Sequence, residues 1–164
     1  MEKDDKEHDL NELKRNYKFL QEKYNLPSFE NLNQDFGIEK AAEVETDFLI
    51  REIRKFIADK SSNYLRFIDT VLNPANAPMF VFSFIKMIGT EEKNKLAEIY
   101  KKLIKEEIKL IELDLDFSEE KEAKFIREFY EFWRVTKKEL LEIVEKAGKN
   151  SDNKSEENSR GYFG

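Results

Sequence analysis

The chain has 164 residues and a mass of 19.6 kDa, with 39% charged and 40% hydrophobic residues and a net charge of −6. This length corresponds to one domain, and a composition rich in Glu and Lys with only 5 Gly and 3 Pro favours an all-α protein over a many-stranded sandwich or barrel. The absence of Cys excludes a disulfide framework, a thiol nucleophile and cysteine-ligated zinc, and the single histidine, His8, excludes a site that needs two imidazoles.

The N-terminal part of the chain predicts one long and one short helix. Apolar residues spaced three and four apart predict a helix over residues 9–24. Pro27 ends it, because the residue before a proline avoids the α region. Ser28 can cap a short helix over residues 28–36, and Gly37 stands where a C-terminal glycine is expected.

A second long helix is predicted over residues 47–72, since Asn73 and Pro74 stop it. Its polar face carries basic residues that could line one flank, among which acidic residues are interspersed. Two interpretations remain open for this flank: ordinary salt-bridge pairing on a solvated face, or a patch that binds phosphates of nucleic acid. The basic residues of this candidate patch are Arg51, Arg54, Lys55 and Arg66.

The most apolar stretch of the chain is Met79–Ile88, in which only Lys86 is charged. It predicts a short helix over residues 79–88, too short to span a bilayer, which needs about 20 apolar residues. Helical spacing places Phe80, Phe84, Met87 and Ile88 on the inward face and leaves Val81, Phe82 and Ile85 toward other sides. We therefore expect Phe82 and Ile85 to contact a protein partner or a second copy of the chain, unless residues 26–38 cover them.

Two further long helices are predicted, over residues 91–113 and 119–147. Thr90 and Ser118 can cap them, and each is followed by two glutamates, which the helix dipole favours in a first turn. Helical spacing places Ile108 and Ile111 on the buried face of the first. In the second, Trp133 is expected to be buried, against Ile53, Phe56 or Leu103.

The predicted fold is therefore an all-α, antiparallel bundle of about four main helices plus two short helices. Residues 1–148 are expected to form a single helical domain, with residues 1–8 frayed. From Lys149 to Gly164 the composition changes to Ser, Asn, Lys and Glu without periodicity, which predicts a disordered tail.

No pattern of catalytic, cofactor-binding or metal-ligating residues stands out. The sequence has no Glu-x-x-His pair for a di-iron site, no Walker loop, no Gly-x-Gly-x-x-Gly and no Gly-x-Ser-x-Gly. Asp114 and Asp116 lack the glycine and terminal glutamate of a calcium loop. We therefore expect no enzymatic activity, no cofactor and no metal.

Three segments of the chain resemble a family of small, uncharacterised archaeal all-helical proteins. These segments are Lys23-Tyr-Asn-Leu-Pro-Ser-Phe-Glu30, Phe48-Leu-Ile-Arg-Glu-Ile-Arg54 and Arg66-Phe-Ile-Asp-Thr-Val-Leu-Asn-Pro74. The resemblance would cover residues 10–147 and implies an intracellular all-α protein. It implies no activity.

The sequence favours a non-enzymatic, cytoplasmic interaction or adaptor protein acting through apolar helix surfaces. The surplus of aromatic residues (14 Phe, 6 Tyr and 1 Trp) and the run over residues 79–88 support this hypothesis. The alternative is a nucleic-acid- or ribosome-associated factor that docks through the basic patch, which the pI of about 5.1 disfavours. An enzyme with an unrecognised carboxylate site ranks last, and no membrane association is expected.

Overall fold

The computed structural model describes residues 2–160 and, within them, the side chains of residues 7–153. The predicted fold class is confirmed, because the described residues form an all-α helical bundle without a β-strand. The α-helices are α1 (Glu2–Tyr24), α2 (Phe29–Phe36), α3 (Leu49–Leu72), α4 (Met79–Met87), α5 (Thr90–Leu115) and α6 (Glu119–Arg160). Two 3₁₀ helices, Ile38–Glu43 and Pro74–Asn76, were not predicted.

The predicted boundaries of α2 are confirmed by its caps. The Ser28 hydroxyl accepts a hydrogen bond from the Asn31 N–H at 3.2 Å, which satisfies one of the free donors of the first turn. At the other end, Gly37 adopts the left-handed conformation (φ 65°, ψ 41°), and its N–H donates to the Asn33 carbonyl at 2.8 Å. A side chain would be strained in this conformation, so glycine ends the helix here.

The cap of α5 differs from the prediction, because Gly89 occupies the N-cap position that was assigned to Thr90. The Gly89 carbonyl accepts from the Lys93 N–H at 3.1 Å, while the Gly89 N–H donates to Glu92 Oε2 at 2.8 Å. A glutamate that reaches back from the third helical position to the N-cap amide is one half of a capping box. Thr90 is therefore the first residue inside the helix.

Helix α6 continues to Arg160, whereas the sequence predicted an end near residue 147 and a disordered tail over residues 149–164. Gly148 does not stop it, since glycine in a helix costs only about 1 kcal/mol relative to alanine. The Asn150 side chain also donates to the Met87 carbonyl at 2.7 Å, which satisfies an acceptor at the end of α4. Residues 161–164 lie outside the described residues. At the other end of the chain, α1 begins at Glu2, earlier than the predicted residue 9.

The chain divides into two compact units. The first comprises residues 1–63 and 105–132, and the second comprises residues 64–104 and 133–164. Helices α3, α5 and α6 contribute residues to both units. The single domain over residues 1–148 stays a prediction.

The core of the first unit is built on seams of buried residues spaced four and three apart, the repeat of coiled-coil packing. The seam of α3 includes two polar residues, Arg54 and Ser61, and that of α6 begins at a glutamate, Glu122. Tyr17 of α1 packs edge-on against Phe29 of α2, with ring centroids 5.6 Å apart. The seam residues are Ile50, Arg54, Ile57 and Ser61 of α3, Leu110 and Leu113 of α5, and Glu122, Ile126 and Phe129 of α6.

The core of the second unit repeats the same spacing on the other halves of the three long helices. Trp133 is buried in it, as predicted, and its ring centroid lies 5.2 Å from that of Tyr64. Val81 of α4 and Ile88, the residue that follows α4, also belong to this core. The seam residues are Ile68 and Val71 of α3, Leu96, Ile99 and Leu103 of α5, and Trp133, Thr136, Leu140, Ile143 and Ala147 of α6.

Glu92 is a buried carboxylate of the second unit, and we expect its contribution to the free energy of unfolding to depend on pH. Glu92 accepts hydrogen bonds from the Lys146 ammonium and the Gly89 amide, and these bonds hold the pKa of its carboxyl below the ordinary value of 4.5. A lowered folded-state pKa adds stability above the unfolded-state pKa, and this stability is lost as the pH falls through the folded-state value.

We expect Glu92→Gln to lower the free energy of unfolding at neutral pH, and the difference from the wild type to shrink as the pH falls below about 4.5. Urea unfolding of both proteins from neutral pH to acid measures this. Glu91→Gln is the matched control, because the Glu91 side chain is exposed. A difference that does not change with pH would contradict the expectation.

Candidate interaction surfaces

The apolar helix α4 leaves part of its hydrophobic surface in solvent. Met79, Phe80 and Phe82 are 81%, 64% and 38% exposed. Ile85 is half-buried, so of the two predicted contact residues Phe82 is the more accessible. Large apolar side chains clustered in solvent are typical of contact sites.

The orientation of α4 differs in part from the prediction. Val81 is buried although it was expected to point away from the core, and Phe80 is exposed although it was expected to point inward. Val81 is the buried residue within α4, and Ile88, which follows the helix with an extended backbone, is buried as well. Phe84 is half-buried, with its ring centroid 5.5 Å from that of Phe67. Apolar residues occur on all sides of this helix, so the sequence pattern alone did not determine which side packs against the core.

The prediction that Arg54 lies on an exposed basic flank is wrong. It is 2% exposed, and its Nε donates to Glu122 Oε2 at 2.9 Å, while its Nη2 donates to Asp114 Oδ1 at 2.6 Å. Glu122 is fully buried, whereas the Asp114 side chain is largely exposed. Burial raises the pKa of the Glu122 carboxyl, and the hydrogen bonds from Arg54 act against that rise.

The other residues of the predicted basic patch do not form one cationic surface. Arg51 is half-buried, with its guanidinium carbon 5.4 Å from the Phe117 ring centroid, a cation–π distance. Lys55 forms an ion pair with Glu52 at 2.7 Å. Arg66 is exposed and belongs to the second unit. In the first unit, the positive charges of the patch are thus engaged with carboxylates or an aromatic ring.

Phe117 also belongs to an aromatic patch that the sequence analysis missed. Its ring packs edge-on against Phe48, with centroids 5.2 Å apart, and both rings are partly in solvent. Phe48 and the exposed Phe19 line a small groove of about 290 Å³. Phe48 and Phe117 lie just outside the helices, where helical periodicity makes no prediction of exposure, whereas Phe19 lies inside α1.

Helix α5 presents a second apolar surface in the first unit. Ile108, Ile111 and Leu115 are 52%, 59% and 83% exposed, although Ile108 and Ile111 were predicted to be buried. The residues that pack inward are Leu110 and Leu113. A groove of about 580 Å³, with Leu113 and Phe125 among its lining residues, lies between α5 and α6. We call the three exposed residues the α5 stripe.

A groove between α1 and the first 3₁₀ helix is acidic. It has a volume of about 500 Å³, and its lining includes Asp9, Glu12, Glu43 and Glu45. Among the side chains that the structure describes, no group of three or more His, Cys, Asp or Glu residues is arranged to hold a metal ion. Within residues 2–160, no helix combines the length and the apolar character needed to cross a bilayer.

Comparison with known proteins identified no relative of this chain. No family model matches the chain, and neither a curated protein nor a solved structure is significantly similar to it. The resemblance to archaeal all-helical proteins therefore stays a prediction.

Proposed function

We propose that the chain is a non-enzymatic interaction or adaptor protein that docks a protein partner through the exposed surface of α4. The observation that carries this proposal is the exposure of Met79, Phe80 and Phe82 on a helix of nine residues. Burying each such side chain is worth about 1.5–3 kcal/mol, so a partner that covers them gains a substantial part of a binding free energy.

The surface also has the anatomy of a docking site. Val81 of α4 and Ile88, which directly follows the helix, are buried in the core of the second unit, so the exposed side of α4 is held on a fixed support. Ser83 and Lys86 are exposed among these apolar residues, because helical spacing places them between Phe80 and Phe82. Protein–protein interfaces combine buried apolar area with hydrogen bonds, so polar groups among the apolar residues are compatible with a docking site.

The nucleic-acid alternative finds less support. Arg54 is buried against Glu122, and Lys55 is paired with Glu52. Phosphate contacts require exposed cations, and the number of contacts determines both affinity and its salt dependence. Arg51 and Arg66 alone give little basis for such binding.

The proposal predicts that α4 variants lose a partner. We expect the double substitution Phe80→Ser and Phe82→Ser to weaken binding at least tenfold, because aromatic anchors carry most of an interface's energy. Affinity capture from the native host identifies the partner, and titration calorimetry with the purified partner measures the dissociation constant.

The matched control is Phe19→Ser, since Phe19 is as exposed as Phe80 but belongs to the first unit. The control should bind as the wild type does. Equal affinity of the α4 variant and the wild type for every captured protein would contradict the proposal, provided that circular dichroism shows the variant to be folded.

A further inference from the structure

The α5 stripe is a second exposed apolar surface, and it belongs to a different unit from α4. Ile108, Ile111 and Leu115 are spaced three and four residues apart and extend over roughly 10 Å of the helix, at about 1.5 Å per residue. They face away from the buried seam of Leu110 and Leu113. Helix α5 is therefore apolar on two opposite faces, of which the first unit's core covers one.

The charges beside the stripe are arranged in order along one flank. Lys105 and Lys109 come first, and Glu112 and Asp116 follow. This flank is basic toward the N-terminus of α5 and acidic toward its C-terminus. Within the first unit, Lys109 of this flank pairs with Glu106 at 3.1 Å, and Asp116 pairs with Lys121. On the other flank, Asp114 binds Arg54, and Glu107 accepts from the Ser62 hydroxyl at 3.0 Å. The charges that the proposal uses are therefore Lys105 and Glu112.

We propose that the α5 stripe is the contact surface for a second copy of this chain, whose α5 packs antiparallel across a two-fold axis. In that arrangement Lys105 faces the partner's Glu112, and Glu112 faces the partner's Lys105. A parallel arrangement would instead place this flank against the partner's other flank, where Asp114 and Glu107 already have partners within the first unit.

Self-complementarity is the reason for choosing a second copy as the occupant. A two-fold interface requires that whenever residue i contacts residue j, residue j also contacts residue i. Lys105 followed by Glu112 on one flank meets this condition, and the apolar stripe lies beside them. The groove of about 580 Å³ on the same flank has Leu113 and Phe125 in its lining, which offers apolar surface to the incoming helix.

The stripe belongs to the first unit and α4 to the second, so the proposal does not depend on the α4 function. Sedimentation equilibrium of the full chain from micromolar to millimolar concentration tests it. We expect a reversible equilibrium between the 19.6 kDa monomer and a species of twice that mass. Ile111→Ser combined with Leu115→Ser should abolish the dimer. The control Leu141→Ser, at an exposed apolar position of the second unit, should leave it unchanged.

A charge-exchange series tests the antiparallel pairing itself. Lys105→Glu and Glu112→Lys should each raise the dimer dissociation constant about tenfold, because each places two pairs of like charges at the interface. A mixture of these two single variants should form a heterodimer, since all of its facing pairs are then of opposite sign. The double variant carrying both substitutions should associate with near wild-type affinity.

Three results would overturn the proposal. The first is a monomer at every concentration in the wild type. The second is a dimer that survives the Ile111→Ser and Leu115→Ser substitutions, including one lost only when Phe80 and Phe82 are replaced. The third is a dimer that requires the stripe but shows neither the mixed-variant heterodimer nor recovery in the double variant.

Discussion

Replacing Arg54 with leucine should lower the free energy of unfolding by about 3–5 kcal/mol, the usual effect of removing one partner from a buried ion pair. Arg54 is 2% exposed, and its guanidinium donates to Glu122 at 2.9 Å and at 3.4 Å. Without it, the fully buried carboxylate of Glu122 loses its counterion and its donors. The ionised carboxylate is then disfavoured, because burial already raises its pKa. Urea unfolding followed by circular dichroism measures the loss.

Three further variants distinguish the effect of the buried ion pair on stability from that of the charges around it. The double substitution Arg54→Leu and Glu122→Leu should cost much less than the sum of the single substitutions, since both charges leave the core together. Asp114→Asn should have a small effect, because the Asp114 side chain is 58% exposed. Lys55→Leu is the matched control, as it removes an exposed ion pair from the same helix. An Arg54→Leu effect no larger than that of Lys55→Leu would contradict the structural role.

The helix boundaries were predictable where a local signal specifies them. Gly37 ends α2 because its backbone is left-handed, and Ser28 begins it because its hydroxyl accepts from a nearby amide. These signals act within four residues, so the sequence contains them in full. Gly148 has the same local appearance but lies inside α6, where the Asn150 contact with Met87 supports the continuing helix. That contact joins residues far apart in sequence, so no local pattern indicates it.

The surfaces were less predictable than the boundaries, because packing determines which face of a helix is buried. In α5, adjacent apolar residues allow two stripes, one through Leu110 and Leu113 and another through Ile108 and Ile111. Both satisfy helical periodicity, and only the first packs inward. Arg54 was misplaced for a related reason, since its partner Glu122 lies 68 residues away. A charged residue at a seam position, four after Ile50 and three before Ile57, was the signal that could have found it.

The second large effect on the free energy of unfolding is expected when Trp133 is replaced. Trp133→Ala should lower the free energy of unfolding by about 3–5 kcal/mol, because truncating a buried aromatic removes its transfer free energy and leaves a cavity. The residue is 2% exposed and lies on the α6 seam, with its ring tilted 52° against that of Tyr64. Since it is the only tryptophan of the chain, fluorescence reports on this site alone.

Fluorescence and a conservative variant test this placement together. The native protein should show a blue-shifted emission relative to the unfolded chain, because the indole is removed from water. Trp133→Phe should recover most of the lost stability, since it keeps an aromatic ring against Tyr64 and leaves a smaller cavity. Phe80→Ala is the control for aromatic truncation in general: Phe80 is exposed, so its loss should change stability little. A native emission as red as that of the unfolded chain, or equal effects of Trp133→Ala and Phe80→Ala, would show that Trp133 does not lie in the core.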